Sequence, residues 1–471
     1  MAARVPFIGQ AYHSQSSDVD CERTVNFYPE QVESGSGKSS VVLYPSPGFS
    51  LFTTLPQSNV RGMLYHDSRL FAVAGTGFYE ITSTGVVTLR GTVATGTDPA
   101  SIVANGDGGG QLFITSGGNG YCFVLATNVL TTELTGTADF GGFLDGYFLA
   151  LDAATSTLQI SNLLDGTTWG ALDIAQRVTG ADPWVSMLVS DRQIFLYGTK
   201  TSEAWYNSGN PDFPFEPVQG SFVQDGIAAP YSTAALVDNT RIWLAANADG
   251  SNVVKRASGY VPERISTHAI EHAIQGYLVT SDGIGWTYQE EGHTFFVLSF
   301  PTARGTWVYD TVTGLWHERG WWDTLQMRYE ASRARCHAYA FDQHLVGDRL
   351  SGGIYQQSIT SYQDIGGTEL RRVRQGPHLH QNGAWVDYPE VTLLMESGVA
   401  TGTEDDPQVM LQWSDDGGHT WSNEHWVTAG AVGVYGKDAV WRRCGRSKDR
   451  VFRVTCSDAV PYRLFGMEVG A

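Results

Sequence analysis

Cysteine is scarce in this chain of 471 residues: five, at Cys21, Cys122, Cys336, Cys444 and Cys456, widely scattered and without a CxxC pair. That pattern excludes a disulfide framework and a zinc knuckle and predicts buried free thiols. Positive charge is short as well. Thirty Lys and Arg stand against 49 acidic residues, a net charge of −19, which disfavours a surface that wraps DNA, because phosphate binding needs cations to displace counterions. An acidic wall can still face DNA, by repelling it. No run of 18 apolar residues occurs, so no membrane insertion is expected. The opening MAARVPFIGQ lacks a basic region followed by an apolar one, which predicts folding in the cytoplasm. GxSxG, HExxH, Walker A and a strand-to-helix GxGxxG are missing too, and nothing calls for a cofactor.

What the chain does have is glycine, 54 residues, and aromatic side chains at 12%, with 14 Trp. Many short strands joined by tight turns account for both. Apolar runs begin at Leu70, Leu112, Tyr147, Ile194, Ile242, Phe295 and Leu345, 35 to 53 residues apart. Each continues into a Gly, Asp or Asn turn and a second strand, a hairpin with room for two more strands. This period predicts propeller blades. The expected fold class is all-β: a β-propeller of six or seven blades over 1–359, its N-terminal segment closing the last blade, then a smaller β-sandwich-like domain over 360–471. One helix stands out, ISTHAIEHAI, with Ser266 as its cap and Ile270, Ala273 and Ile274 on one face. In TWVYDTVTGLW, Asp310 suits turn amides, Gly314 a positive φ, and Trp307 and Trp316 a clamp between strands. Asn382-Gly383 signals a hairpin between two strand-like runs.

The stretch WSDDGGHTW reads Ser-x-Asp-x-Gly-x-Thr-Trp over Ser414, Asp416, Gly418, Thr420 and Trp421. It resembles the Asp-box turn of sialidases and other propeller glycosidases, in which the carboxylate satisfies backbone amides and the Trp packs beneath. The turn implies a hairpin, not hydrolysis. Acid pairs at Glu290-Glu291, Asp405-Asp406 and Asp415-Asp416 place neighbours on opposite strand faces, unsuited to a shared cleft. His378 and His380 would share a face as two metal ligands, but no third ligand is in view. The net charge is −15 over 1–359 and −4 over 360–471, and a local excess of +5 spans 437–463. That stretch holds Arg442, Arg443, Arg446, Lys448, Arg450 and Arg453, read either as a solvated strand face or as an interface with an acidic partner or phosphate.

RTVNFYPE at 23–30, PSPGF at 45–49, VRGMLYHDSRLFAVAGTGFYEI at 60–81 and TSEAWYNSGNPDFPFEPVQGSFVQDGIAAP at 201–230 resemble, in order, the packaged-DNA-stabilisation proteins of short-tailed bacteriophages. GHTFFVLSFP at 292–301, TWVYDTVTGLWHERG at 306–320, DPQVMLQWSDDGGHTWSNE and WRRCGRSKDRVFRVTCSD continue the resemblance. It implies a virion tail hub, or nozzle, assembled as a homo-oligomeric ring, a hexamer, below the portal and adaptor. Such a ring closes the exit channel on duplex DNA and carries spike, fibre or needle proteins. The family has no known catalytic residues, so none is expected here. The alternatives are a glycan-binding receptor-recognition protein and a propeller glycosidase.

Overall fold

A computed structural model describes residues 3–34, 37–106, 108–177, 179–248, 250, 252–399 and 406–470. The seven apolar runs all occupy equivalent places: Arg69–Ala74, Gln111–Ser116, Tyr147–Asp152, Gln193–Gly198, Thr240–Ala246, His293–Phe300 and Gln343–Asp348 are each flanked by antiparallel neighbours in a separate sheet. Alternation explains why the middles of these strands are largely apolar. Leu70, Ala72 and Ala74 pack towards Ala338 and Leu345 on one side, while Phe71 and Val73 pack towards Leu112 and Ile114 on the other. A strand with a sheet on each face has no polar side.

One strand of each blade is innermost. Val60–His66, Ser101–Ala104, Phe140–Leu144, Trp184–Ser190, Ala234–Ala235, Ile284–Glu290 and Ala334–Ala340 touch in that order, and the last touches the first. The ring is therefore closed, with seven blades. Around its axis lies a cavity of about 580 Å³. Glycine permits the close approach of these strands: a Cβ on Gly62 would meet the Ala100 carbonyl at 2.2 Å, and one on Gly285 the Ser232 carbonyl at 2.2 Å. At the C-terminal end of three second or third strands sits a buried carboxylate, Asp152, Asp310 or Asp348. Each accepts from the hydroxyl three residues on, Thr155, Thr313 or Ser351, and so fixes the turn.

The strand Gly48–Thr54 pairs with Gly353–Ser358 and completes the seventh blade. Most of the strands ahead of it belong to the sandwich. Ala3–Val5, Phe27–Gln31 and Val41–Pro45 lie in one sheet with the C-terminal strands Glu390–Met395, Ala439–Arg442 and Leu464–Val469. Cys21–Val25 lies in the opposing sheet, between Arg372–Gln375 and the sixth blade's Trp316–Glu318. Phe27 and Leu43 are completely buried with Val391, Leu411 and Val454 between these sheets. The sandwich therefore draws its core from both ends of the chain, which alternation along single strands does not reveal.

Local expectations fare unevenly. The helix is present as His268–Gln275 with Ile270 and Ile274 buried, but Thr267 is its N-cap, accepting from the Ile270 amide. Ser266 turns instead to the Glu271 carboxylate, at 2.7 Å. Asn382 and Gly383 both adopt positive φ, 48° and 77°. The strands beside them, however, pair with Asp449–Cys456 and Arg446–Ser447 rather than with each other. Gly314 does take a positive φ, 69°. Trp316 packs at a tilt against Tyr309, ring centres 5.0 Å apart, and not against Trp307, because the register puts Glu318 opposite Trp307.

Candidate functional site

The Asp-box-like residues form one hydrogen-bonded turn between the strands Gln408–Ser414 and His425–Thr428. Asp416 accepts from the Ser414 hydroxyl at 2.7 Å, the Thr420 amide at 2.8 Å and the Thr420 hydroxyl at 2.6 Å. The Thr420 hydroxyl foremost holds this carboxyl well below the usual carboxylate range. Gly418, at φ 91°, donates to Ser414 and accepts from the Trp421 indole at 2.9 Å. Asp416, Ser414 and Thr420 satisfy one another within the turn, so their chemistry is spent on the hairpin, while His419 reaches out to the Ser17 hydroxyl at 3.1 Å. A shorter relative escaped the sequence reading. In DGTTW, Asp165 accepts from Thr167 and Thr168 while the Trp169 indole donates to the Gly166 carbonyl at 2.8 Å. The same Asp-to-Trp order, one residue shorter, is its signal.

The six basic residues divide in two. Arg442, Arg443, Arg446 and Lys448 are exposed, with Arg442 paired to Glu390 at 2.9 Å. Arg450 is buried, holds the Asp415 carboxylate at 2.7 Å through two nitrogens and lies over Tyr388 at 4.6 Å. Arg453 stacks on Trp421 at 3.8 Å and donates to Gln412, and burial pulls its guanidinium down to about 10. Three positions apart on one strand, these two project from opposite faces, Arg450 into the sandwich beside Phe452 and the half-buried Arg453 against Trp421, while the loop ahead of them stays in solvent.

Asp415 thus serves Arg450 while Asp416 serves the turn; Asp405 lies outside the described residues. His378 lies between Asp449, at 2.9 Å, and the Ser17 carbonyl, at 2.7 Å, with Cys21 Sγ 3.7 Å away. A Cys-His-Asp order is assembled, yet burial pushes the Cys21 thiol up to about 11, so it carries no thiolate at neutral pH. His380 is exposed beyond it, and among the described residues no group of three or more His, Cys, Asp or Glu could hold a metal ion. All five cysteines are free; Cys336 is the one that is not fully buried.

A cleft of about 740 Å³ opens where the sixth blade meets the sandwich. Tyr28 and Tyr44, stacked with ring centres 5.9 Å apart, form its wall. Glu30, Glu33 and Glu291 give it negative charge. His293 is 8% exposed and hydrogen-bonded to Asp310 at 2.8 Å, which raises its pKa; its other nitrogen faces Glu30 at 3.7 Å. Beneath lies Glu290, accepting from the Ile359 amide at 3.1 Å, and burial pushes its carboxyl up to about 7. Asp364, five residues along the same linker, is pushed to about 7 by the same cause. None of these was singled out from the sequence as a cleft, because its walls come from residues some 260 positions apart.

The fold is that of a closed propeller sewn by its own N-terminal strands to a β-sandwich. The chain belongs to the Bacteriophage P22 Gp10 family: the family's beta-propeller matches residues 3–361 and its beta-sandwich residues 371–471. It is a bacteriophage structural protein of the virion tail. No curated protein matches it in sequence. Among solved structures, virginiamycin B lyase from Staphylococcus aureus is 8% identical, with a TM-score of 0.46 over 66% of this chain and 99% of that one. BamB from Moraxella catarrhalis is 9% identical, with a TM-score of 0.40 over 76% of this chain and 96% of that one. Neither resemblance carries chemistry to this chain.

Proposed function

We propose that this protein is a tail hub, or nozzle, in which copies close into a ring, a hexamer, below the portal and adaptor. The ring closes the exit channel on packaged DNA and offers attachment sites to spike, fibre or needle proteins. In this reading the subunit folds in the host cytoplasm and is divided near residue 360, with no catalytic role. The observation that carries it is the match of both family segments, which together span nearly the whole chain in order. The net charge of −19 supports a channel wall from which DNA slides, since like charge disfavours adhesion.

The decisive experiment is DNA retention in particles assembled without this chain, scored as nuclease-accessible genome after gentle purification. Heads that package and then leak are the expected result, with retention restored by adding the purified protein. Particles that stay full but fail to adsorb to cells would move the protein to host recognition. Strong, sequence-independent binding of duplex DNA by the isolated protein at low salt would overturn the repelling channel.

A further inference from the structure

Two oppositely charged features lie at opposite ends of the strand Glu390–Met395. At its start, Glu390 is in register with Arg442, and the exposed cations cluster there. Trp385, 57% exposed, has the Arg446 guanidinium 4.7 Å and the Lys448 ammonium 5.5 Å from its ring centre. Arg442 is paired with Glu390 and Arg446 has Asp387 opposite it in the backbone register, while Arg443 and Lys448 make no ion pair among the described residues. Arg443 is unusual in a second way. Its backbone is left-handed, φ 61°, a conformation that costs an arginine free energy and that glycine adopts freely. Among the described residues no hydrogen bond or ion pair of its side chain offsets that cost.

At the far end of the same strand, about 20 Å away at 3.3 Å per residue, Glu396 pairs with Arg463, which lines the acidic cleft. With Arg463 so occupied, Glu30, Glu33 and Glu291 have no cationic partner among the described residues apart from His293, whose outer nitrogen faces Glu30 at 3.7 Å. The stacked Tyr28 and Tyr44 supply an aromatic wall.

Resting on the ring reading above, we propose that the basic end of one copy, Trp385 with Arg443 and Lys448, docks into the acidic cleft of the next copy. The fit is one of charge and of ring faces: cations meet the three glutamates, and the exposed indole meets the tyrosine wall. Because donor and acceptor surfaces occupy opposite ends of the sandwich, the contact is head-to-tail, the kind that propagates around a ring. Such a contact is screened by salt.

The test uses the full chain, with self-association followed by analytical ultracentrifugation and DNA retention measured on complemented heads. Arg443→Gly is the informative variant. Glycine suits the local backbone, so the monomer should melt at or above the wild-type temperature while self-association falls by on the order of tenfold or more. Glu291→Arg should lose association similarly, and the double variant Arg443→Glu/Glu291→Arg should recover it. Rings that survive both single changes would overturn the contact while leaving the hub reading intact. Rings that survive Arg443→Gly but lose duplex-DNA binding would assign the patch to phosphate instead. A wild-type chain that stays monomeric both in solution and on heads would sink the ring and this contact together.

Discussion

At the scale of residues, burial decides which charges are structural. Arg450 and Arg446 lie four positions apart, yet the first is enclosed by Tyr388, Trp413 and Phe452 while the second is in solvent. Arg450→Ala is expected to cost about 2–3 kcal/mol, from lost packing and a broken ion pair. Arg446→Ala should stay within about 0.5 kcal/mol; urea unfolding of the two variants checks both. Glu290 and Asp364 make stability depend on pH. Their carboxyls are raised to about 7 in the folded chain, so the stability they contribute is fully present below the ordinary carboxyl range and lost as pH rises through about 7. Glu290→Gln should therefore melt close to wild type at pH 5 and above it at pH 8.5, by up to about 3 kcal/mol. His337, held down to about 3 by burial, acts in the opposite sense, and its contribution fades as pH falls below its ordinary 6.5. Thermal melts across this range read both limbs.

At the scale of elements, the blades depend on how closely their inner strands approach. Gly62 and Gly285 each face a neighbouring blade's carbonyl at a separation no side chain tolerates. Gly62→Ala or Gly285→Ala should cost about 1–3 kcal/mol by forcing backbone apart, measurable as a lower melting temperature with no change in assembly partners. The second strands are the opposite case. Both their faces are covered, so their middles are largely apolar and buried polar groups on them need partners, and this made them legible as seven apolar runs. The hairpin signal at Asn382-Gly383 was legible in its turn and misleading in its strands, since φ is a local property and strand pairing is not. The helix cap went to Thr267 over Ser266 because the Glu271 carboxylate claimed the Ser266 hydroxyl first.

At the scale of the whole molecule, the N-terminal strands couple the two parts. Phe27 and Leu43 sit in the sandwich core, and Gly48–Thr54 closes the propeller, so loosening this segment acts on both. Leu43→Ala should cost about 2–5 kcal/mol, and hydrogen exchange should report faster opening in Leu464–Val469 as well as in Val41–Pro45, which pair directly. The sequence by itself determined the all-β class, the blade repeat and the Asp416 turn, because each rests on residues within one hairpin, where side-chain alternation and turn chemistry act over a few positions. Even the family was legible there, as ordered short stretches. Only the tertiary structure decided that seven blades close, that the strands Ala3–Val5, Phe27–Gln31 and Val41–Pro45 serve the sandwich, that Arg450 is interior and Arg453 half-buried, and that Glu30 and Glu291 line one cleft. Each of these is set by contacts between segments far apart in the chain, and burial, which fixes the worth of a charge, exists only once those contacts have formed.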